Sequence, residues 1–557
     1  TFRYRGLGND FARAHYTGLQ DRGITTDGVY LNQGGEDVTL SGRHDFNAQT
    51  RVVADAEYLS SYQYRQAFAE SFSQAVSSDI LSIVYGVHEA NGYAADARFD
   101  RYQGLKRTAM PATPETPAVL EQEVHIFHAP SLDFSSTEHE LGRSGVQWSL
   151  GSSFAGLSRV QPNFSTGGLT PRLDFHPQIS YPMSFDGWRM RASVGARETA
   201  YSRSRKTPYT GGLPVELPIA LNRADFEAEA DLRIPVIERT FDSAKVEKMF
   251  GYDVKHTIEP EITYRYVAGI NNFLNVLRFD DIDVASDTNE LEYGATQRLF
   301  VRPVKARPCV ERTLRRDQKE DLDLDQGWVE AKERSGDLKA SGPVCGSREL
   351  ISWRLTQKYF FDETFGGAVI KGRRNIFDTT LNFSGIAFLT EPRAISPLVS
   401  RLRVRTSEHL DVEWDFDLDT GAKKFTSNNL MFDVHEGNMF GGLSYARLNA
   451  PGRFYTEGIS SPVSNFNQLR LLLGYGSPTK AGLSIAANAG LDLNGGDSGL
   501  VQYGALQGSY NWDCCGFSVE VRKYELGSVR NETVERFNFT LSNIGTAGNL
   551  RRAASLF

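Results

Sequence analysis

Apolar and polar residues alternate with a period of two along most of this chain, and this pattern leaves few folds open. In the stretch 411–419, Val412, Trp414, Phe416 and Leu418 are separated by acidic residues. Successive side chains of a β-strand point to opposite faces, so the pattern predicts strands with one apolar and one charged face. The same alternation occurs in the stretches 224–234, 261–266 and 536–541.

The length and composition favour one very large barrel in a membrane. The chain has 557 residues and contains no run of about 18 apolar residues, which excludes a transmembrane helix. A transmembrane β-barrel needs no such run, because only every second residue faces lipid. Its 34 Phe and 23 Tyr suit strands and interfacial girdles. We therefore predict an all-β fold, a large antiparallel transmembrane β-barrel of roughly two dozen strands with a polar lumen.

The connections between the predicted strands differ in length. Short turns alternate with longer segments such as 363–398 and 449–465, as expected of short periplasmic turns and long extracellular loops. The spacing predicts roughly 23 strands within a barrel at 1–542, followed by a C-terminal tail at 543–557. Because bacterial barrels normally have an even number of strands, this count predicts at least one further strand before residue 1.

Several classes of function find no support in the residues. The net charge of −8 argues against nucleic acid as a partner. The chain carries none of the common hydrolase, metalloprotease or phosphate-loop motifs, so we predict no enzyme, no catalytic residue, no metal site and no cofactor. The acidic run at 280–287 lacks the spaced glycine and distal glutamate of a calcium loop, so we expect a solvated loop there.

A set of segments in order along the chain resembles the LptD family of lipopolysaccharide-assembly barrels. The sharpest match is the stretch 510–515, which ends in the adjacent pair Cys514 and Cys515 shortly before the last two predicted strands. The final strand also resembles that of the family, with Phe537, Phe539 and Leu541 on one face. The resemblance spans roughly residues 1–550, and its other segments are 172–182, 195–199, 254–267, 286–300 and 519–523.

The resemblance implies a location, a function and partners. LptD proteins lie in the bacterial outer membrane, where they receive lipopolysaccharide from a periplasmic bridge and deliver it to the outer leaflet. The family has an N-terminal periplasmic jelly roll, which we expect to be absent from this chain, and a lipoprotein, LptE, seated in the lumen as a plug. Lipopolysaccharide leaves through a lateral seam between the first and last strands, so Phe537, Phe539 and Leu541 would belong to the last gate strand. We expect the barrel-assembly machinery to insert such a chain.

The four cysteines are expected to form disulfides in an oxidising periplasm. Cys514 and Cys515 cannot easily bond to each other, because adjacent residues give poor disulfide geometry. The resemblance implies that they bond to cysteines of the missing N-terminal domain. Cys309 and Cys345 flank a charged insert at about 303–349, and a bond between them would restrict the unfolded insert by about 3–4 kcal/mol. The alternatives are that Cys309 and Cys345 are the partners of the adjacent pair, or that the adjacent pair remains as free thiols on a turn.

The acidic stripes of the predicted inner wall are candidate contacts for a plug, and a solvated wall is the alternative for any one of them. They are Asp225, Glu227, Glu229, Asp231, Asp411, Glu413, Asp415 and Asp417.

Two other functions remain open at this point. A porin-like or TonB-dependent channel would share the barrel, although a TonB-dependent receptor carries a plug domain ahead of it and a porin lacks an adjacent cysteine pair. An outer-membrane lipid hydrolase would need a serine and histidine pair facing the bilayer.

Overall fold

The fold is almost entirely antiparallel β-structure, as the alternation predicts. One short helix, α1 (Asp281–Val284), is the only α-helix with bounds in the described part of the chain. The computed structural model describes residues 2–26, 29–32, 34–60, 64–65, 79–104, 124–161, 164–206, 215–242, 252–272, 275–284, 287–303, 347–362, 394–407, 410–450, 464–477, 481–494, 500–512, 514–525, 531–541 and 545–548.

The strands are numbered in chain order. The first half of the chain contains β1 (Phe2–Arg5), β2 (Phe11–Leu19), β3 (Ile24–Thr26), β4 (Val29–Leu31), β5 (Gly35–Asp45), β6 (Thr50–Leu59), β7 (Asp79–Ala90), β8 (Tyr93–Gly104), β9 (Val124–Ser136), β10 (His139–Glu140), β11 (Gln147–Gln161), β12 (Phe164–Ser165), β13 (Thr170–Phe185), β14 (Trp188–Tyr201), β15 (Ser204–Lys206), β16 (Val215–Leu217), β17 (Leu221–Arg233), β18 (Ile237–Phe241) and β19 (Tyr252–Ala268). The second half contains β20 (Thr288–Pro303), β21 (Arg348–Phe360), β22 (Leu398–Ser407), β23 (Leu410–Asp419), β24 (Lys424–Glu436), β25 (Met439–Ala450), β26 (Ser464–Tyr475), β27 (Gly482–Asp492), β28 (Val501–Asn511), β29 (Cys515–Glu525), β30 (Asn531–Leu541) and β31 (Gly545–Gly548).

Twenty-seven of these strands form one sheet, and β3–β4 and β15–β16 are separate hairpins. Within the sheet, β10, β12 and β18 are short and each pairs with a single neighbour. The remaining strands pair antiparallel in chain order, so 23 strands run from β1 to β30 and β31 follows as a further short one. The predicted antiparallel all-β fold of roughly two dozen strands is therefore confirmed within the described residues.

The two ends of the sheet differ in their connections. At one end, which we call the short-turn end, Asn91 and Gly92 alone join β7 to β8, and Asp186 and Gly187 join β13 to β14. All four residues have positive φ, between 46° and 82°, which is the geometry that Asn-Gly and Asp-Gly favour in two-residue hairpins. The opposite end carries several longer connections, such as that between β19 and β20, but the longest connection, between β20 and β21, lies at the short-turn end.

The two faces of the sheet also differ, and they define the inner and outer walls. The outer face carries large apolar side chains that remain exposed in the isolated chain, including Phe99 at 57% and Leu173 at 55%. The inner face carries charged and hydroxyl side chains, and many of them are buried, such as Arg172 and Ser153. In a soluble protein the apolar face would be buried and the polar face exposed. The opposite arrangement is what a wall between lipid and a polar lumen requires.

Candidate functional site

The first acidic stripe lies on the inner face of β17 and is largely paired with cations. Glu227 contacts His176 of β13 at 3.1 Å, and Glu229 accepts a hydrogen bond of 2.9 Å from Arg265 of β19. Asp231 pairs with Arg233 of its own strand at 3.1 Å. Asp225 is buried, and neither of its carboxylate oxygens has a hydrogen-bond partner in the described part of the chain.

The second acidic stripe lies on β23 and is paired in a similar way with the neighbouring strand β22. Arg403 donates to Glu413 at 2.9 Å, and Arg405 donates to Asp411 at 3.2 Å. Opposite charges in facing positions of adjacent strands stabilise a sheet by roughly 0.2–1 kcal/mol per pair. Asp415 and Asp417 follow on the same face of β23. The structure thus places both stripes on one wall, and their contact with a plug stays a prediction.

We call the connection between β19 and β20, residues 269–287, the lumen segment, and its residues 275–284 fold against this inner wall. Its main anchor is Arg172 of β13, whose side chain is only 2% exposed. One guanidinium nitrogen of Arg172 donates to Asp280 at 2.7 Å and to Asp283 at 2.8 Å, and the other donates to Asp280 at 2.6 Å. The side chain of Asp283 is fully buried. A single arginine therefore ties together two carboxylates of the lumen segment.

Three further wall residues complete the anchor. Tyr201 of β14 donates its hydroxyl to Asp283 at 2.7 Å. Arg223 of β17 donates to the backbone carbonyl of Asp283 at 3.1 Å, which satisfies a carbonyl at the end of α1. His128 of β9 lies 3.2 Å from Asp280 through Nε2 and 2.5 Å from Asp100 through Nδ1. Residues of four strands, β9, β13, β14 and β17, thus form hydrogen bonds or ion pairs with the polar groups of the segment.

Apolar contacts add to this anchor. Leu277 and Phe279 of the lumen segment pack in one cluster with Ala155 and Leu157 of β11. Leu277 is 1% exposed and Leu157 is fully buried. Burying a Leu or Phe side chain contributes about 1.5–3 kcal/mol, so these two residues supply much of the free energy that holds the segment in place.

The pKa values of the two carboxyl groups of the lumen segment, Asp280 and Asp283, are shifted in opposite directions. Burial acts to raise the pKa of Asp280, but its hydrogen bonds with His128 and Arg172 outweigh burial and hold the pKa below its ordinary value. Burial, followed by the neighbouring charge of Asp280, raises the pKa of Asp283. The expectation of a solvated loop is therefore wrong for these two residues. The sequence pattern could not show this burial, because the partners Arg172 and His128 come from strands that are far away in sequence.

The adjacent cysteines lie at the short-turn end. Cys514 is exposed in the connection from β28 to β29, Cys515 begins β29 and is partly buried, and both are free. Cys309 and Cys345 lie outside the described residues, as does most of the insert at 303–349. The strands that flank the insert, β20 and β21, are joined at the same end of the sheet as β28 and β29, because the strands alternate in direction. The predicted disulfides stay predictions.

The last long strand, β30, has one fully paired edge. Along that edge it pairs with β29 over its whole length. On the other edge β31 covers only Asn538 to Leu541, and β31 itself lies in the stretch 543–557 predicted as a tail. Phe537 and Phe539 are 55% and 40% exposed on the outer face. Among the described residues, no pairing joins β1 to β30 or β31. The described sheet therefore has two edges, one at β1 and one at β30 and β31.

Two features are absent from the described residues. None of the helices there has the length and hydropathy to cross a membrane. No group of three or more His, Cys, Asp or Glu side chains within the described ranges is arranged to hold a metal ion.

Comparison with solved structures finds likeness at low similarity. The copper transporter OprC matches with a TM-score of 0.34 and 11% identity, covering 96% of this chain and 79% of that one. The ferric citrate transporter FecA also matches with a TM-score of 0.34 and 10% identity, covering 87% of this chain and 74% of that one.

Comparison with known sequences is more specific. The LPS-assembly protein LptD of Methylococcus capsulatus is 22% identical over 303 residues, which cover 49% of this chain and 26% of that protein. LptD of Nitrosococcus oceani is 24% identical over 287 residues, which cover 47% of this chain and 34% of that protein. The chain therefore matches about a quarter to a third of the length of these relatives. The sequence profile of LptD, LPS transport system D, matches residues 32–475, and the chain belongs to this family.

Proposed function

We propose that this chain forms the wall of a lipopolysaccharide translocon in the outer membrane of a Gram-negative-type bacterium. The observation that carries the proposal is the match of the LptD profile over residues 32–475. The two named relatives support it, because both are LPS-assembly proteins. The reaction is transport of a lipid from the periplasmic side to the outer leaflet, with no covalent chemistry.

The two faces of the sheet support a location in the membrane. An apolar outer face can contact lipid, whereas the inner face satisfies its charges through pairs such as Arg265 with Glu229 and Arg403 with Glu413. The lumen is the place for an LptE-like lipoprotein plug. A polar wall of this kind suits a plug that is itself polar on its surface, and the paired stripes leave hydroxyl and carboxylate groups for it to contact.

The two strand edges support a lateral exit. A barrel in lipid must satisfy every backbone group, so a seam that opens needs few hydrogen bonds across it. The last long strand β30 lacks a strand partner along residues 531–537 in the described part of the chain. Lipopolysaccharide would pass between this edge and the first strand, close to Phe537 on the outer face.

The short-turn end is the proposed periplasmic side. It carries Cys514 and Cys515 together with the ends of the strands that flank the insert at 303–349. Disulfides from the adjacent cysteines would tie an N-terminal periplasmic domain, and through it the periplasmic transport bridge, to the barrel. The barrel-assembly machinery would insert the chain.

Depletion of the protein tests the function. Surface lipopolysaccharide should fall when expression is shut off and recover when the gene is restored from a plasmid. Unchanged surface levels after depletion would contradict the proposal. If the purified protein formed a conducting, solute-selective pore in planar bilayers and depleted cells kept normal surface lipopolysaccharide, the function of a porin-like or TonB-dependent channel would be favoured instead.

Photo-crosslinking tests the exit. A photoreactive residue in place of Phe537 should capture lipopolysaccharide in living cells. The matched control is the same residue in place of Phe226 of β17, which is also exposed on the outer face. Equal capture at both positions would argue against a seam at β30.

A further inference from the structure

A groove opens on the outer face across six strands, from β6 to β13. Its cavity volume is about 530 Å³, within the range of roughly 300–1,000 Å³ typical of sites for small molecules. Its lining includes outward-facing side chains of β6, β7, β8, β9, β11 and β13. The groove therefore lies in the wall that we place against the bilayer, away from the lumen and from the edge at β30.

The groove arises from a change in side-chain size along one row of paired residues. Val52 pairs with Gly86, Gly86 with Ala97, and Ala97 with Leu132. The row then continues through Phe154 and Leu173, which are 43% and 55% exposed and stand above the sheet. Small side chains thus form the floor, and large ones form a wall along one side.

One end of the groove is polar, although it lies on the apolar face. His88 of β7 and Thr50 of β6 face each other, and their Nδ1 and Oγ1 atoms lie 2.9 Å apart. His88 is exposed, and its Nε2 has no hydrogen-bond partner within the described ranges. Hydrocarbon cannot satisfy such a group, whereas a lipid headgroup can.

A group of aromatic rings lies beyond Ala95 on one side of this polar end. Tyr93 stacks on His139 with ring centres 4.5 Å apart and on Phe134 at 5.9 Å. Trp148 continues the stack at 5.4 Å from His139. These residues lie near the Asn91–Gly92 turn and the connection after β9, at the short-turn end. Tyr and Trp rings are typical of the level at which lipid headgroups meet the hydrocarbon region.

We propose that this groove binds one phospholipid of the leaflet at the short-turn end. One acyl chain lies on the floor of Gly86 and Ala97 against Phe154, and the phosphate accepts a hydrogen bond from Nε2–H of His88, whose Nδ1 accepts one from the hydroxyl of Thr50. Contact with the floor alone discriminates little, because lipid tails are as apolar as the wall. The polar end therefore supplies the selectivity, and the shape of the groove positions the chain. The inference rests on the membrane location within the proposed function and goes beyond lipopolysaccharide transport.

The experiment uses the complete protein purified from its membrane and reconstituted in phosphatidylethanolamine and phosphatidylglycerol vesicles. A trace of phosphatidylethanolamine with a photoreactive acyl chain is crosslinked, and the attached peptides are identified by mass spectrometry. Ala97→Leu fills the groove, and His88→Leu removes its polar end. The matched control is Ala192→Leu, since Ala97 and Ala192 are both the fifth residue of an outer-wall strand counted from its short turn.

Crosslinks should concentrate on the peptides that contain Phe134 and Phe154. They should fall several-fold in Ala97→Leu and in His88→Leu and stay at the original level in Ala192→Leu. Crosslinks spread evenly around the outer wall, or unaffected by both groove variants, would overturn the proposal. Equal, saturable labelling of the groove by photoreactive lipid A would overturn the assignment to phospholipid.

Two further measurements keep the outcome interpretable. The heat-dependent migration of each variant on gels reports whether the barrel has folded, and His88→Leu leaves the floor intact if Ala97→Leu fails to assemble. Surface lipopolysaccharide of the same strains is measured separately. Unchanged surface lipopolysaccharide after depletion of the protein, with normal crosslinking of the groove, would count against the proposed function alone, and loss of crosslinking in the variants with normal surface lipopolysaccharide would concern the groove alone.

Discussion

Arg172→Met removes the guanidinium that holds Asp280 and Asp283 of the lumen segment while keeping an unbranched side chain of similar length. Removing one partner of a buried ion pair costs about 3–5 kcal/mol, because it leaves buried charge without compensation. His128 and Tyr201 still contact the two carboxylates, so we expect the lower end of this range. At about 1.36 kcal/mol per factor of ten, the released form of the segment should rise by roughly 10²-fold.

Hydrogen–deuterium exchange of peptides from residues 269–287 measures this release, because protection falls in proportion to the population of the open form. The control is Arg197→Met, which removes a guanidinium that pairs with Asp174 at 3.0 Å on the wall itself. It should leave the exchange of the lumen segment within a few-fold of the original. Unchanged exchange in Arg172→Met, or an equal rise in both variants, would refute the assignment of Arg172 as the anchor.

Three further predictions concern the turns, the cysteines and the response to acid. Gly92→Val forces a β-branched residue to φ +82° and should destabilise the folded barrel by about 1–3 kcal/mol in urea titrations, whereas Gly504→Ala, which meets no atom within 4 Å, should change little. In the reduced chain, a maleimide reagent should label the exposed Cys514 faster than the partly buried Cys515. In the oxidised, complete protein, neither cysteine should react before reduction, and labelling without reduction would exclude the predicted disulfides. Because the pKa of Asp280 is lowered, its ion pairs contribute stability that is present above the ordinary pKa and is lost only as the pH falls through the lowered one. The raised pKa of Asp283 acts in the opposite sense and favours the closed segment as the pH falls. Exchange of residues 269–287, corrected for the intrinsic rate, should therefore not rise between neutral pH and about pH 5, and early release would contradict this sign.

The strands could be predicted because their signal is local. The alternation of Val412, Trp414, Phe416 and Leu418 with carboxylates needs only the geometry of an extended chain, and the structure places β23 at Leu410–Asp419. The turn at Asn91 and Gly92 also has a local signal, because this pair favours the positive φ values that both residues adopt, but it is not among the predictions made above.

The anchor of the lumen segment could not be predicted from the sequence. Asp280 and Asp283 form part of an acidic run, and such runs are usually solvated. Their partner Arg172 is 108 residues before Asp280, and nothing in the local pattern distinguishes it from other inward-facing arginines. The groove was missed for the same reason, because Gly86 and Ala97 become a floor only when paired with the larger residues of β9 and β11.

The pairing of the inner wall has a consequence for what can move through the lumen. Carboxylates at Glu227, Glu229 and Glu413 lie beside cationic or imidazole groups on neighbouring strands, so much of their field is cancelled within a few ångströms. Summed charge of one sign is what draws counter-ions into a cleft and accelerates their entry. Where its charges are paired in this way, the wall offers little long-range attraction to ions, and salt at physiological strength screens what remains over about 8 Å. We therefore expect these paired stretches of the inner wall to contribute little to the selection of ions by charge.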